Sequence, residues 1–348
     1  MRPKLLLSEL SVSSGVSSMN GSNLASPQYS DILEARDQIA GQAVRTPLLR
    51  NDVLDERLNG RIFIKAECLQ RTGSFKFRGA FNRISRLTVE ERKHGVIAYS
   101  SGNHAQGVSA AAKLTGTTAT ILMPKDAPVA KVEGVKFWGG KVVFFDRTTE
   151  NREELGARIA EDENRVLVPP YEDRLIIAGQ GTAALEACED LERDGLRADI
   201  FMCPAGGGGL IAGTGLSARQ HNPDAEIWAV EPENFDDYRR SLLSGKRESN
   251  AQLTGSICDA IITPMPGALT WSVNANQLTG GVTVSDDEAL EAMAFAWRNL
   301  KIVAEPGGVV ALAAALNGRV DLAGKTACLV ISGGNVDRAM FNRALDLA

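Results

Sequence analysis

Lys76 stands between Phe75 and Phe77 in the segment ECLQRTGSFKFRGA, just after the small residues Thr72, Gly73 and Ser74. Apolar neighbours disfavour the ammonium form of a lysine, so such an amine spends part of its time neutral and nucleophilic near neutral pH. It can then bond a carbonyl carbon or carry a proton. A solvated helix lysine would read the same way locally, and the segment alone leaves both readings open.

Three further segments could receive a ligand's charged groups. In AYSSGNHAQGVSAAAKL a strand-like run gives way to Ser100, Ser101, Gly102, Asn103 and His104 and then to a helix pattern. Unpaired backbone N–H groups and the helix dipole at such a junction attract a carboxylate, although a plain Ser/Asn cap has the same letters. In DIFMCPAGGGGLIAGTGLSA the glycines Gly206, Gly207, Gly208 and Gly209 and then Leu210 separate a strand from an apolar helix. Glycine lets several N–H groups converge on a phosphate there. In TACLVISGGNVD, Ser332 closes a strand ahead of Gly333, Gly334 and Asn335.

The glycine run supports a rival reading. Gly207, Gly209 and Ala212 fit the dinucleotide fingerprint, and Glu231 closes the next strand where a ribose-binding acid belongs, so an NAD-binding oxidoreductase competes. Gly324-Lys325-Thr326 is not a P-loop, because no glycine stands five positions earlier and a strand follows.

The elements that must position these residues alternate regularly. Short apolar runs (RIFIKAE, GVIAYSS, TATILMP, KVVFFD, RVLVPP, DIFMCPA, EIWAVE, TACLVISGG) are separated by amphipathic, Ala-rich stretches. That pattern predicts an α/β protein with open, mostly parallel twisted sheets flanked by helices, and ligand loops at the strand ends. We expect two lobes: 97–172 as a small substrate-closing lobe, and 29–96 with 173–348 as the large one. Residues 1–28, rich in Ser, Gly and Asn, read as a disordered extension.

The chain has 348 residues, 44% of them hydrophobic and 23% charged, with a formal charge of −5. A mildly acidic surface argues against nucleic acid and anionic membranes as partners. No apolar run reaches the length of a membrane span. The five cysteines lie far apart and form no C-x-x-C pair, which points to a reducing, cytoplasmic setting rather than a disulfide framework.

Taken in order, TGSFKFRGA, SSGNHAQG, GGGGLIAG, EPGG from Glu305 and SGGNVD resemble the serine/threonine dehydratase and serine racemase family, pyridoxal 5'-phosphate (PLP) enzymes of fold type II. The similarity runs from VRTPLL at Val44 to the C-terminus. The resemblance implies that Lys76 holds PLP as a Schiff base and moves the α-proton. It implies that Phe75 packs on the ring, Asn103 bonds the phenolic oxygen, Gly206 to Leu210 hold the phosphate, and Glu305 and Ser332 complete the cofactor site. A hydroxyl such as that of Ser332, facing the pyridine nitrogen, leaves the ring a weaker electron sink than a carboxylate would. Elimination of a β-hydroxyl is then favoured over transamination.

By the same resemblance Ser100, Ser101, Gly102, Asn103 and His104 receive the substrate. Ser101 stands where racemase-like members carry a second acid/base, and Arg152 aligns with an arginine near the substrate side chain. Glu231, the carbonyl of Phe235 and Asp237 match a divalent cation site, whose oxygen ligands suit Mg²⁺ or Ca²⁺. The expected activity is ammonia-lyase action on L-threonine or L-serine by a homo-oligomer, dimer or tetramer. No isoleucine-binding regulatory module is expected. Serine racemase, 3-hydroxyaspartate ammonia-lyase and a catalytically silent PLP or amino-acid sensor are the alternatives on the same scaffold.

Overall fold

The computed structural model describes residues 26–100, 102–127, 129–146 and 149–347; residues 1–25 of the expected extension lie outside them. Among the described residues the strands are β1 (Leu48–Arg50), β2 (Arg61–Ala66), β3 (Val96–Tyr99), β4 (Ala119–Pro124), β5 (Lys141–Phe145), β6 (Val166–Leu167), β7 (Ile200–Pro204), β8 (Glu226–Pro232), β9 (Gly280–Val284) and β10 (Thr326–Ile331). They form a six-stranded sheet in the order β1-β2-β10-β7-β8-β9 and a four-stranded sheet in the order β5-β4-β3-β6. Among these strands only β1 pairs antiparallel, with β2; the others pair parallel.

Each apolar run in the sequence is a strand, and in the central ones β2, β4, β7 and β10 the run is continuous because parallel strands covered on both faces need apolar side chains on both. The alternation is visible in β7. Ile200 and Met202 pack on one side with Val309 to Ala315 of the helix Pro306–Leu316, whereas Phe201 and Cys203 pack on the other with Leu210 and Ile211. The edge strands β1 and β9 escape the sequence reading, since each is half exposed and lacks an apolar run. No helix among the described residues is long and apolar enough to cross a membrane.

The helix Lys76–Ile84 belongs to both sheets. Its Phe77, Ala80, Phe81 and Ile84 enter the core beneath the smaller sheet with Val96, Ala98 and Ile121. Its fully buried Arg78 faces the larger one. The guanidinium binds Glu67 through Nε and Nη2, both at 2.8 Å, and Glu186 through Nη1 at 2.7 Å and Nη2 at 2.8 Å. Lys65 of β2, also fully buried, donates to Glu186 at 2.7 Å, so two cations and two carboxylates balance in the interior. Burial pushes the Glu67 carboxyl up, but Arg78 more than offsets it and the group ends below the usual carboxylate range.

Candidate functional site

A cleft of about 310 Å³ is lined by Phe75, Lys76, Asn103, the glycine loop, Glu305 and Ser332, and so joins the five motifs that carry the family resemblance. Lys76 opens its helix, and its Nζ lies 5.0 Å from the centroid of the Phe75 ring. The amine donates to the carbonyl of Pro170 at 3.0 Å. Burial pulls its pKa down to about 8. Chain pairing brings Ser332 alongside: Phe75 N–H donates to the Ser332 carbonyl at 3.1 Å, and Gly334 N–H to the Gly73 carbonyl at 2.9 Å.

Gly206 to Leu210 follow β7 and lead into the helix Gly209–His221, whose N-terminus no side chain caps. Gly208 adopts φ 93°, the left-handed region that favours glycine, and a Cβ at Gly207 would collide with the Tyr171 ring. The loop's carbonyls are held from behind. Thr270 Oγ1 donates to the Gly207 carbonyl at 2.6 Å, and Asn274 Nδ2 to that of Gly208 at 3.1 Å. Fully buried Tyr238 joins them, its hydroxyl 3.1 Å from both Thr270 Oγ1 and Asn274 Nδ2. With the carbonyls turned back, the cleft side of the loop is left to N–H groups and a helix N-terminus, a setting that attracts a phosphate.

The second uncapped helix N-terminus is that of Asn103–Thr115, preceded by Gly102, whose surroundings are open. Ser100 Oγ accepts from Gly102 N–H at 3.3 Å. Ser101 lies outside the described residues. His104 is buried and bonds the Val168 carbonyl through Nε2 at 2.9 Å, which leaves Nδ1 an acceptor without a partner. Burial drops its pKa to about 3, so the ring is neutral throughout the working range and is no proton donor. Arg152 opens the helix Arg152–Asp162 on the cleft wall, with its guanidinium 5.6 Å from the centroid of the Tyr99 ring. Lys131, also on the wall, pairs with Asp259 at 2.5 Å.

Glu231, Phe235 and Asp237 do not line the cleft; they lie behind the glycine loop. Glu231 is fully buried and accepts the N–H groups of Tyr238 at 2.7 Å and Arg239 at 2.9 Å. Glu231 therefore faces the interior and not the cleft, which removes the ribose ligand that the dinucleotide reading requires. Asp237 takes one bond, from Asn250 at 2.6 Å, and its Oδ2 is buried without a partner. Burial and the neighbouring acid raise both carboxyls, Glu231 well above its ordinary value and Asp237 to about 7.

The sequence reading passed over Pro170, Tyr238, Thr270 and Asn274, and named Asn335 only as a neighbour of Ser332. Pro170 acts through a backbone carbonyl, which carries no residue signal, and the others act on partners distant in the chain. Asn335 lay within a quoted motif, and Pro170 at the end of the quoted run RVLVPP.

The family model described as pyridoxal-phosphate dependent enzyme matches residues 39–333. The chain is 42% identical over 309 residues to an L-threo-3-hydroxyaspartate ammonia-lyase of Pseudomonas sp, covering 89% of this chain and 95% of that protein. It is 39% identical over 316 residues to the L-threonine ammonia-lyase of Thermotoga maritima, covering 91% and 77%. Among solved structures it superposes on a maize serine racemase with a TM-score of 0.86 at 35% identity, over 92% of this chain and 98% of that one.

Proposed function

Since this chain belongs to the pyridoxal-phosphate-dependent enzymes and has their type II fold, we propose that it is an ammonia-lyase that removes water and then ammonia from a small β-hydroxy amino acid. Threonine would give 2-oxobutanoate and serine pyruvate. The observation that carries the reading is Lys76: an amine lowered to about 8 by burial, in one cleft with the uncapped N-termini of the helices Asn103–Thr115 and Gly209–His221.

The residues fit the cofactor. The glycine loop, with its carbonyls turned back, would take the phosphate, and Lys76 would hold the aldehyde end covalently. Phe75 would pack on the ring, Asn103 would donate to the phenolic oxygen, and Ser332 would face the pyridine nitrogen. When bound, the cofactor supplies an electron sink for the carbanion formed as the α-proton departs.

The chain's own groups then have defined tasks. The start of the helix Asn103–Thr115 holds the substrate carboxylate through its free N–H groups. Lys76, whose pKa of about 8 leaves it a larger neutral fraction than an ordinary lysine has, takes the α-proton. The β-hydroxyl leaves as water, and the released enamine tautomerises and loses ammonia to bulk water. The smaller sheet, with the proposed lobe 97–172, closes over the substrate and keeps water out.

The proposal extends to a divalent cation, Mg²⁺ or Ca²⁺, at Glu231, the Phe235 carbonyl and Asp237. Its support is the buried acid pair and the unpartnered Asp237 Oδ2: burial holds both carboxyls toward their neutral forms, and a hard oxygen-seeking cation would supply the charge that lets them ionise.

A second substrate reading, 3-hydroxyaspartate, is favoured by Arg152 and Lys131 on the cleft wall, where a second carboxylate would meet cationic groups. The test is 2-oxo acid release from L- and D-serine, L-threonine and the 3-hydroxyaspartates, with and without Mg²⁺. Purified protein should be yellow and turn over at least one of them. A fully loaded protein that releases no 2-oxo acid from the whole panel defeats the lyase reading in favour of a silent sensor.

A further inference from the structure

Asn103 is held by a chain of side-chain bonds that fixes which end of its amide faces where. Its Nδ2 donates to Glu305 Oε1 at 2.5 Å, and its Oδ1 accepts from Asn335 Nδ2 at 2.7 Å. The remaining N–H of Asn335 goes to the Thr72 carbonyl at 2.8 Å. A carbonyl only accepts, so a reversed Asn335 would set oxygen against oxygen. Asn335 therefore has one orientation and imposes one on Asn103. Glu305 Oε1 accepts at the other end, in agreement with that choice.

The seat for Asn335 is built at some cost. Thr72 adopts φ 67°, a conformation that a β-branched residue holds only under constraint, and Gly73 follows at φ 74°. A Cβ on Gly73 would lie 2.5 Å from Asn335 Oδ1, so the seat excludes any other residue there. Gly333 is needed likewise, because a Cβ on it would strike Glu305 and lie 3.1 Å from Asn103 Nδ2. Strain and bare glycines on both strands of the junction converge on one amide group, on the chain segment that leads directly into Lys76.

We propose that Asn335 is a positioning residue that locks the Asn103 amide so that its one uncommitted N–H is presented to the cleft as a hydrogen-bond donor. This rests on the cofactor reading above, in which the recipient is the cofactor's phenolic oxygen. A fixed donor there stabilises the anionic form of that oxygen and lowers the pH at which the chromophore gains a proton. Reversal of the amide would present an acceptor and act in the opposite sense.

The test is the visible spectrum of the PLP-loaded protein, titrated with pH, for wild type, Asn335→Asp and Asn335→Ala. The carboxylate introduced by Asn335→Asp would only accept, so it would draw Asn103 Nδ2 to itself and turn Oδ1 toward Glu305. The chromophore's titration should then move upward by about one pH unit or more, a tenfold change in its proton equilibrium. Asn335→Ala frees the amide to turn and should move it the same way by less. It serves alone if the aspartate variant does not fold. Glu305→Gln combined with Asn335→Asp accepts the reversed amide without conflict, so it should regain the thermal stability lost in Asn335→Asp but keep the displaced titration. Titration curves superimposable on wild type in variants that bind PLP overturn the proposal. A wild-type protein with no visible band, or one unchanged by Lys76→Ala, instead overturns the cofactor reading on which it rests.

Discussion

The amine of Lys76 rests against the carbonyl oxygen of Pro170 at 3.0 Å, a neutral acceptor, and burial pulls its pKa from 10.5 to about 8. The folded protein therefore binds fewer protons than the unfolded chain between these values, and stability should rise with pH across that window. Below about 8 the amine is charged in both states, and the folded one bears the desolvation cost. Cofactor-free protein should accordingly label at Lys76 with an amine-selective reagent along a curve centred near pH 8. A midpoint above 10 would mean that the amine is solvated and the reading of its surroundings wrong.

The guanidinium of Arg78 is the cation shared by Glu67 and Glu186, two positions beyond Lys76 on the same helix. Arg78→Ala leaves two buried carboxylates with Lys65 alone, and breaking a buried pair in this manner costs about 3–5 kcal/mol. Urea unfolding of the variant should show a lowered midpoint with an unchanged slope. Glu67 adds a pH signature. Its pKa is depressed, so its contribution is complete above the ordinary carboxylate value near 4.5 and fades as pH falls through the lowered value. The acid limb of wild-type stability should flatten in Glu67→Gln.

These two lysine and arginine environments mark how far the sequence could be read. Lys76 showed as a candidate because its flanking phenylalanines are adjacent in the chain, and the central strands showed because burial on both faces demands continuous apolar runs. Arg78 and Glu67 were in plain view in the same motif, but the other partner, Glu186, stands 108 residues beyond Arg78. The same limit hid Tyr238 behind the glycine loop. Glu231 misled for the converse reason: an acid at the end of the strand after a glycine loop has the spacing of a ribose ligand, and only its two bonds to backbone N–H groups show that it faces inward.

The Glu231 and Asp237 pair gives a pH dependence of opposite sign to Glu67. Burial raises Asp237 to about 7, so without a cation its protonated form stabilises the fold below the ordinary value near 3.8, and that contribution is lost as pH rises through 7. Melting temperature in a chelator should thus fall from pH 5 to pH 8. Added Mg²⁺ or Ca²⁺ should remove most of this slope, and Asp237→Asn should be insensitive to the cation and keep only the part of the slope that belongs to Glu231. Identical melting curves with chelator and with cation at pH 8 would rule out the proposed ligands.

Arg152 and Lys131 separate the two substrate readings. If a second carboxylate reaches them, each charge-assisted bond is worth about 1.5–3 kcal/mol, or roughly 10- to 150-fold in kcat/KM. Arg152→Gln should depress 3-hydroxyaspartate by that factor while changing threonine severalfold at most, because threonine offers only a methyl group at that end. Lys131→Gln, which also breaks the pair with Asp259, tests the other cation of the wall. The measurement is kcat/KM for both substrates in both variants. Equal losses on the two substrates would show that Arg152 supports the cleft wall through its contact with Tyr99 rather than reading the substrate.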